Sequence, residues 1–247
     1  MKKVKVSIAL FALISVLGIG LYGYAQPTLP KEGIPANLAA EVKSEIEGLY
    51  SQDAAKRAQA ADKLGDLGEK AVPAIPYLVA MLGDTAGTKV KAGPESELMT
   101  NTSPGIEAAM ALGKIGKPAL DPLVAALKDK NANVRILAAV ALEEIEDVKA
   151  VEPLIAALKD ESPDVKVSAA RALGEINDVK ALPGLMEALK DKNADVRGTA
   201  AIALGEIGDI KASKALIEAL KDPSEKVRRL AAVSLGVLAA AALAGGR

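Results

Sequence analysis

The chain has no cysteine, no histidine and no tryptophan, and its 247 residues include one phenylalanine and four tyrosines. Each absence removes a class of function. Without cysteine there are no disulfides and no thiol nucleophile. Without histidine there is no imidazole acid–base chemistry, and zinc loses its usual ligands. An aromatic content of 2% leaves few platforms on which bases could stack. A dominant charge is missing too: 31 basic side chains face 32 acidic ones, so no basic excess steers the chain toward nucleic acid. What is present is small and aliphatic. Half the residues are apolar, mostly Ala, Leu, Val and Ile, which suits closely packed helices.

The opening residues stand apart. Lys2, Lys3 and Lys5 precede an apolar stretch from Val6 to Ala25, the charged and apolar regions of a secretory leader. Gly23 and Ala25 are the small residues that cleavage before Gln26 requires. A signal peptide over 1–25 is therefore expected, then a linker over 26–35 and a periplasmic or secreted mature protein. The alternative is an uncleaved N-terminal helix: a stretch of about 20 apolar residues is long enough to anchor the protein in a membrane. Loss of the leader would leave a net charge of about −4.

One phrase, "LVAALKDKNANVRILAAVALEEIEDVKAVEP", recurs with a period of 31 residues. Leu127, Leu158, Leu189 and Leu220 align, as do Asp129, Asp160, Asp191 and Asp222, and Val134, Val165, Val196 and Val227. A fixed period of this length means stacked supersecondary units. Each unit reads as two helices. Val148, Val151, Leu154, Ile155 and Leu158 form an apolar stripe on the first. Val165, Ala169, Leu173 and Ile176 form one on the second. Asn131, Ser162, Asn193 and Ser224 occupy the N-cap slot of the second helix, and Asp147, Asp178 and Asp209 that of the next first helix. Asn177 and Gly208 suit a left-handed residue at the helix end; Glu146, at the same place, costs about 1 kcal/mol by comparison. Ala138, Ala169, Ala200 and Ala231 let helices approach closely.

A weaker copy of the pattern continues upstream, with Asp53 as a cap. It gives about six helix pairs between residues 36 and 243 and a C-terminal tail over 244–247. One interval is longer. Leu78 to Leu123 is 45 residues instead of 31, which places a polar, Gly-containing loop at 84–103. No Gly-Lys-Ser/Thr follows its glycines, so it is not a phosphate cradle. Ser103 is placed to cap the helix that opens at Pro104.

The phrase spelled by Leu185–Asp209 and its neighbours resembles the HEAT family, most closely the HEAT-like repeats named after phycobilisome lyases. The resemblance covers most of the chain beyond the leader. It implies an all-α fold, a right-handed α-solenoid whose first helices lie outside and whose second helices line the concave face. It also implies a kink at Pro122 and Pro153. Such repeats serve as scaffolds for many partners.

Asp129 and Arg135 recur as Asp160 and Lys166, Asp191 and Arg197, and Asp222 and Arg228. Recurrence in register with the fold marks a structural ladder, with each Asp tying its turn to a basic group. The candidate binding positions lie elsewhere on the second helices, where the repeat leaves side chains free to vary. They are Asp66, Met110, Leu137, Val140, Glu144, Arg171, Glu175, Ile202, Glu206 and Val233. Glu107 falls in the same helical phase. Asp66, Glu144, Glu175 and Glu206 make an acidic row. Leu137, Val140, Ile202 and Val233 make an apolar strip beside it, and the two together fit a peptide with basic flanks. Adjacent acids such as Glu143 and Glu144 read as helix surface rather than as acid–base catalysts. No catalytic residue, cofactor site or metal site is expected.

These readings favour an exported, non-enzymatic scaffold that binds a protein or peptide on its concave face. The alternative is an accessory protein for cofactor or pigment attachment, as the lyase-type resemblance allows. No nucleic-acid partner is expected, and a membrane only if the leader is retained. The closing helix has no charge between Arg229 and Arg247, and a homodimer through this C-terminal repeat is the simplest cover for its apolar face.

Overall fold

A computed structural model describes residues 33–91 and 99–245; the expected leader and the middle of the long loop lie outside these. The described residues form twelve α-helices in six pairs. The first helices are α1 (Ala40–Gly48), α3 (Ile75–Met81), α5 (Leu120–Ala126), α7 (Val151–Ala157), α9 (Leu182–Ala188) and α11 (Ser213–Ala219). Their partners are α2 (Ala54–Asp66), α4 (Pro104–Ile115), α6 (Ala132–Ile145), α8 (Pro163–Ile176), α10 (Ala194–Ile207) and α12 (Glu225–Gly245).

Local chemistry sets the helix ends. Asp53, Asn131 and Asn193 accept backbone N–H groups at the starts of α2, α6 and α10, and Ser103 accepts the Ile106 N–H at the start of α4. Ser162 makes no such side-chain bond; there Pro163 supplies the first helical residue and the Ser162 N–H bonds Asp160. The left-handed residues after α6, α8 and α10 are Glu146, Asn177 and Gly208, with φ of 51°, 57° and 70°. Asp147, Asp178 and Asp209 then cap a 3₁₀ turn that leads into the next first helix. With three residues per turn rather than 3.6, that turn shifts the phase of what precedes α7. Val148, expected on the apolar stripe, is turned out and is 60% exposed. Pro122 and Pro153 follow this break, but α11 has the same break without a proline. Stacking therefore sets the bend, and proline only tolerates it.

Leu64, Leu112, Leu142, Leu173 and Leu204 of the even helices and Leu78, Leu123, Leu154 and Leu185 of the odd ones are fully buried. The even helices pack in series, α2 on α4, α4 on α6 and onward to α12. Their contacts run through alanine and glycine, so they lie closer together than the odd helices. The stack therefore curves with the even helices inside, an α-solenoid.

Charged rungs tie α2, α6, α8 and α10 to the turn of the following pair. Arg57 Nε bonds Asp84 at 2.6 Å, and Arg135 grips Asp160 through Nε and Nη2 at 2.7 and 2.8 Å. Lys166 meets Asp191 at 2.6 Å, and Arg197 grips Asp222 at 2.7 and 2.8 Å. The Nη1 of Arg135 also bonds the carbonyls of Asp129 and Lys130 in its own turn, as that of Arg197 does those of Asp191 and Lys192. Each guanidinium thus joins two units, in fork geometry. At Asp222 the Arg197 bond holds the carboxyl below its usual range. At Asp160 and Asp191 burial works upward and is outweighed by the cation and by a backbone N–H.

One rung is missing. Where α4 would carry a basic residue it has Gly105, because α4 starts two residues later in its helical phase than α6 does. A Cβ there would come within 2.8 Å of the Leu82 carbonyl oxygen. The Gly105 N–H bonds the Asp84 carbonyl at 2.9 Å instead. The long loop explains the change. It is not loop throughout: β1 (Thr88–Lys91) and β2 (Met99–Thr102) pair antiparallel, with Thr88 opposite Thr102 and Lys91 opposite Met99. β1 lies against α2.

Replacing Glu146 by glycine relieves the left-handed strain without touching the core. Urea unfolding should show a gain of about 1 kcal/mol. Leu173→Ala, by contrast, should cost about 2–5 kcal/mol, and Arg135→Ala, which leaves Asp160 and two turn carbonyls without their cation, about 3 kcal/mol.

Candidate functional site: the inner face

The last turn of α2, α4, α6, α8 and α10, and the matching turn inside the longer α12, carry the side chains that face the hollow of the stack. One position earlier lies the closest approach between neighbours: Gly65, Gly113, Glu143, Gly174, Gly205 and Gly236 in successive units. At most of these the next helix lies directly on the backbone. A Cβ on Gly205 would meet Ser234 Cβ at 2.7 Å, and one on Gly113 would meet the Glu144 stem at 2.7 Å. The Glu206 carboxylate lies over Gly174 in the same way. Glycine is required here by the neighbour's side chain rather than by backbone torsion.

Glu143 is the one acid in this glycine row. It is 8% exposed and takes a hydrogen bond from Arg171 Nε at 2.6 Å. Burial pushes its pKa up, against the pull of Arg171 and with the help of Glu175 and Glu144. Beside this pair stand Glu144, Glu175 and Glu206, all on the exposed side. Glu206 is pushed up to about 7, first by burial of its carboxyl and then by the charges of Glu175 and Glu143, with Arg171 opposing. Glu144 is also raised, by burial first and then by Glu146. Four carboxylates on α6, α8 and α10 thus share one guanidinium, and Lys114 of α4 acts on Glu144 alone among them.

The N-terminal stretch of the face is balanced differently. Lys114 Nζ bonds Asp62 at 3.0 Å and Asp66 at 2.8 Å, so Asp66 is exposed but locally neutralised. Glu107, expected to face the hollow, is 4% exposed. Burial raises its pKa, while a hydrogen bond with Thr102 from the inserted strands works the other way.

The apolar strip is only partly there. Ile202 is 38% exposed and Val233 60% exposed. Met110 is half-buried, as is Arg171. Leu137 and Val140 are buried at 7% each, which removes both from the open surface. The cause is their place on α6, which is packed between α4 and α8. The acidic row is the larger feature, and Glu143 extends it. Glu143 reads as helix surface from the sequence of α6 but is buried; its sign in the sequence is its place where other units have glycine.

Among the described residues no group of three or more carboxylates is arranged to hold a metal ion. No described helix is long and apolar enough to cross a membrane.

The raised carboxyls have a consequence for stability. A carboxyl whose folded pKa lies above its ordinary value binds more protons in the folded state than in the unfolded one. Its contribution is fully present at low pH and is lost as pH rises, here between 4.5 and about 7 for Glu206. The Asp rungs act in the opposite sense and only below 3.8. Melting temperature should therefore fall from pH 5 to pH 8. Glu206→Gln should flatten that slope and raise the melting temperature at pH 8 by about 2–4 °C, a gain of about 1 kcal/mol after solvent screening. Calorimetry across the range checks both.

The geometry agrees with comparison to known proteins. The family model described as HEAT repeats matches residues 101–161 and 151–236. The phycocyanin lyase CpcE–CpcF complex from Nostoc sp. PCC7120 contains a chain 26% identical, with a TM-score of 0.50, over 86% of this chain and 82% of that one. A designed armadillo repeat protein in complex with the peptide (KR)4 is 21% identical at a TM-score of 0.51, over 81% of this chain and all of that one. A chain of the Kap95p–RanGDP complex is 14% identical at a TM-score of 0.59, and the match spans 82% of this chain but 31% of that one. The last two likenesses speak to fold alone. No curated protein matches the sequence. With the family model covering more than half of its length and the stacked pairs in place, the chain belongs to the HEAT-repeat family.

Proposed function

We propose that this protein is an exported, non-enzymatic scaffold that holds a basic protein segment or peptide along its inner face. The observation that carries this reading is the charge imbalance at α6, α8 and α10. Glu143, Glu144, Glu175 and Glu206 converge there with Arg171 as the one cation bonded among them. Ile202 adds exposed apolar surface beside them. A partner that brings cations lowers the mutual repulsion of the row, and side chains between its basic residues can meet Ile202. Export is supported by the charged and apolar leader pattern of residues 1–25.

The test uses a labelled peptide alternating Lys and Leu, with a Glu/Leu peptide as control, and reads fluorescence polarisation. The basic peptide should bind, more weakly as salt is added. The combined change of Glu144, Glu175 and Glu206 to Lys should weaken binding at least about tenfold, the loss of about 1.4 kcal/mol, with helix content unchanged. Equal binding of both peptides, or none of the basic one, would sink the reading. Export is checked by intact mass: a chain delivered to the periplasm should begin at Gln26, whereas a full-length chain in the membrane fraction means a retained anchor.

A second reading, an accessory to cofactor or pigment attachment, draws support from the likeness to the phycocyanin lyase structure. Visible absorbance that co-purifies with the protein from its native host would favour it over the first.

A further inference from the structure

The two ends of the stack are finished differently. At the N-terminal end α1 buries Val42 and Ile46, with Leu49 just after it, and presents Glu41, Ser44 and Glu47 to solvent, the polar cap that a terminal repeat needs. Among the described residues the C-terminal end has no such cap. α12 packs on α10 and α11 through Val227, Ala231, Ser234 and Leu238, each at most 3% exposed. Its opposite side repeats the residues that every inner unit uses to receive the next helix. Ala232 corresponds to Ala139, Ala170 and Ala201, which are fully buried, yet Ala232 is exposed. Gly236 corresponds to Gly174 and Gly205, which lie under a neighbour, yet nothing comes within 4 Å of a Cβ placed on Gly236. Val233 and Val237 flank this strip at 60% and 48% exposure, and Ile217 of α11 is 53% exposed.

The ladder is open at the same end. Arg228 makes the own-turn bonds of its equivalents, Nη1 to the carbonyls of Asp222 and Pro223 at 2.7 and 3.0 Å. Among the described residues no carboxylate meets its other edge, where Arg135 and Arg197 each hold an aspartate. The exposed Arg229 stands beside it. The face is therefore apolar and small in the middle and cationic at the start of α12.

We propose that this face pairs with the same face of a second copy of the chain, the two α12 helices crossing antiparallel at Gly236 about a two-fold axis. The other end of a second copy does not fit. It is polar, and its residue in the rung position is Ser51, which offers Arg228 no carboxylate. The two-fold arrangement answers both features. It sets Ala232 against Ala240 of the partner copy, with glycine at the crossing, so the backbones meet as closely as those of α8 and α10 do. It also sets Arg228 and Arg229 beside the partner copy's last turn of α12, which ends at Gly245. That end of the helix carries its negative pole. Such an interface is isologous and closes at two subunits, whereas a head-to-tail contact would propagate.

Light scattering and cysteine crosslinking on the full chain test this. The protein has no native cysteine, so Gly236→Cys places a single thiol per chain, in open space. Mild oxidation should join two copies through it, because helices crossing at this residue bring the two Cα atoms within about 7 Å, the reach of a disulfide. Ser44→Cys, at the polar end, should not crosslink. At about 50 µM, enough to populate a dimer of micromolar Kd, the unmodified protein should scatter at twice the mass of one chain, which is 25.3 kDa for the full sequence and smaller by the leader once that is removed. Gly236→Leu should scatter as a monomer with unchanged circular dichroism, because the added side chain meets nothing in its own subunit. A monomeric unmodified chain overturns the proposal. So does a species larger than a dimer, or crosslinking through position 44 and not 236.

Discussion

Everything else in this molecule depends on how closely the even helices approach one another. In the last turns of α4, α8 and α10 the neighbouring helix lies directly on a glycine backbone; a Cβ on Gly174 would come within 3.0 Å of the Ala203 Cα. A larger residue would have to push a whole helix aside, and overpacking of this kind typically costs about 1–3 kcal/mol. The same contact makes the inner side of the stack shorter than the outer, which produces the curvature. It also crowds the side chains of the last turn onto the helix behind. The inner face is therefore a consequence of packing before it is a site.

The opposite ends of the even helices are held by a different force. The rungs are directional and charged, and they act at the turns, beside the buried Val165 and Val196 of the first helical turns. A guanidinium that grips an aspartate with one edge and two turn carbonyls with another orders its own unit and the next together. Where α4 gives up its rung, the backbone replaces it: Gly105 bonds the Asp84 carbonyl, and Thr102 is drawn in beside the buried Glu107. The inserted strands are thus tolerated because the junction they interrupt is rebuilt from main-chain groups, while the stacking of α2 on α4 continues underneath.

Features set by neighbours in sequence were legible from the chain alone. The period, the Asp and Asn caps and the left-handed residues at 146, 177 and 208 depend on a few adjacent positions, and all appear where expected. Features set between units were not. The burial of Glu143 depends on Arg171, 28 positions away, and reads as surface when α6 is considered alone. Leu137 and Val140 face the hollow by helical phase, but the helices on either side of α6 close over them. Val148 leaves the apolar stripe for a local reason, since a 3₁₀ turn cannot be told from the start of an α-helix by apolar spacing when both begin with a capping aspartate. The pairing of residues 88–91 with 99–102 gave no sign either, because a single short polar ribbon lacks the alternation by which strands are recognised.

The inner face runs against the economy of the rest of the molecule. Elsewhere most buried or partly buried charged side chains are ion-paired, as at Arg57 and Asp84, at each rung and at Lys114 with its two aspartates, while Glu107 meets Thr102 instead. At α6, α8 and α10 four carboxylates share a single guanidinium, and one of them, Glu206, is pushed up to about 7 by burial and then by Glu175 and Glu143. The repeat pattern does not require this. Val237 occupies the position of Glu206 in the last unit, and Lys114 occupies it in the second. Local rules tend to be broken where a protein does something other than fold. Repulsion left standing in the folded state is free energy that a cationic partner recovers on binding, so the strain that weakens the stack at neutral pH is the same quantity that would make it selective. A two-fold contact at α12 would set two such rows on one assembly, and a partner with two basic segments would then gain from engaging both at once.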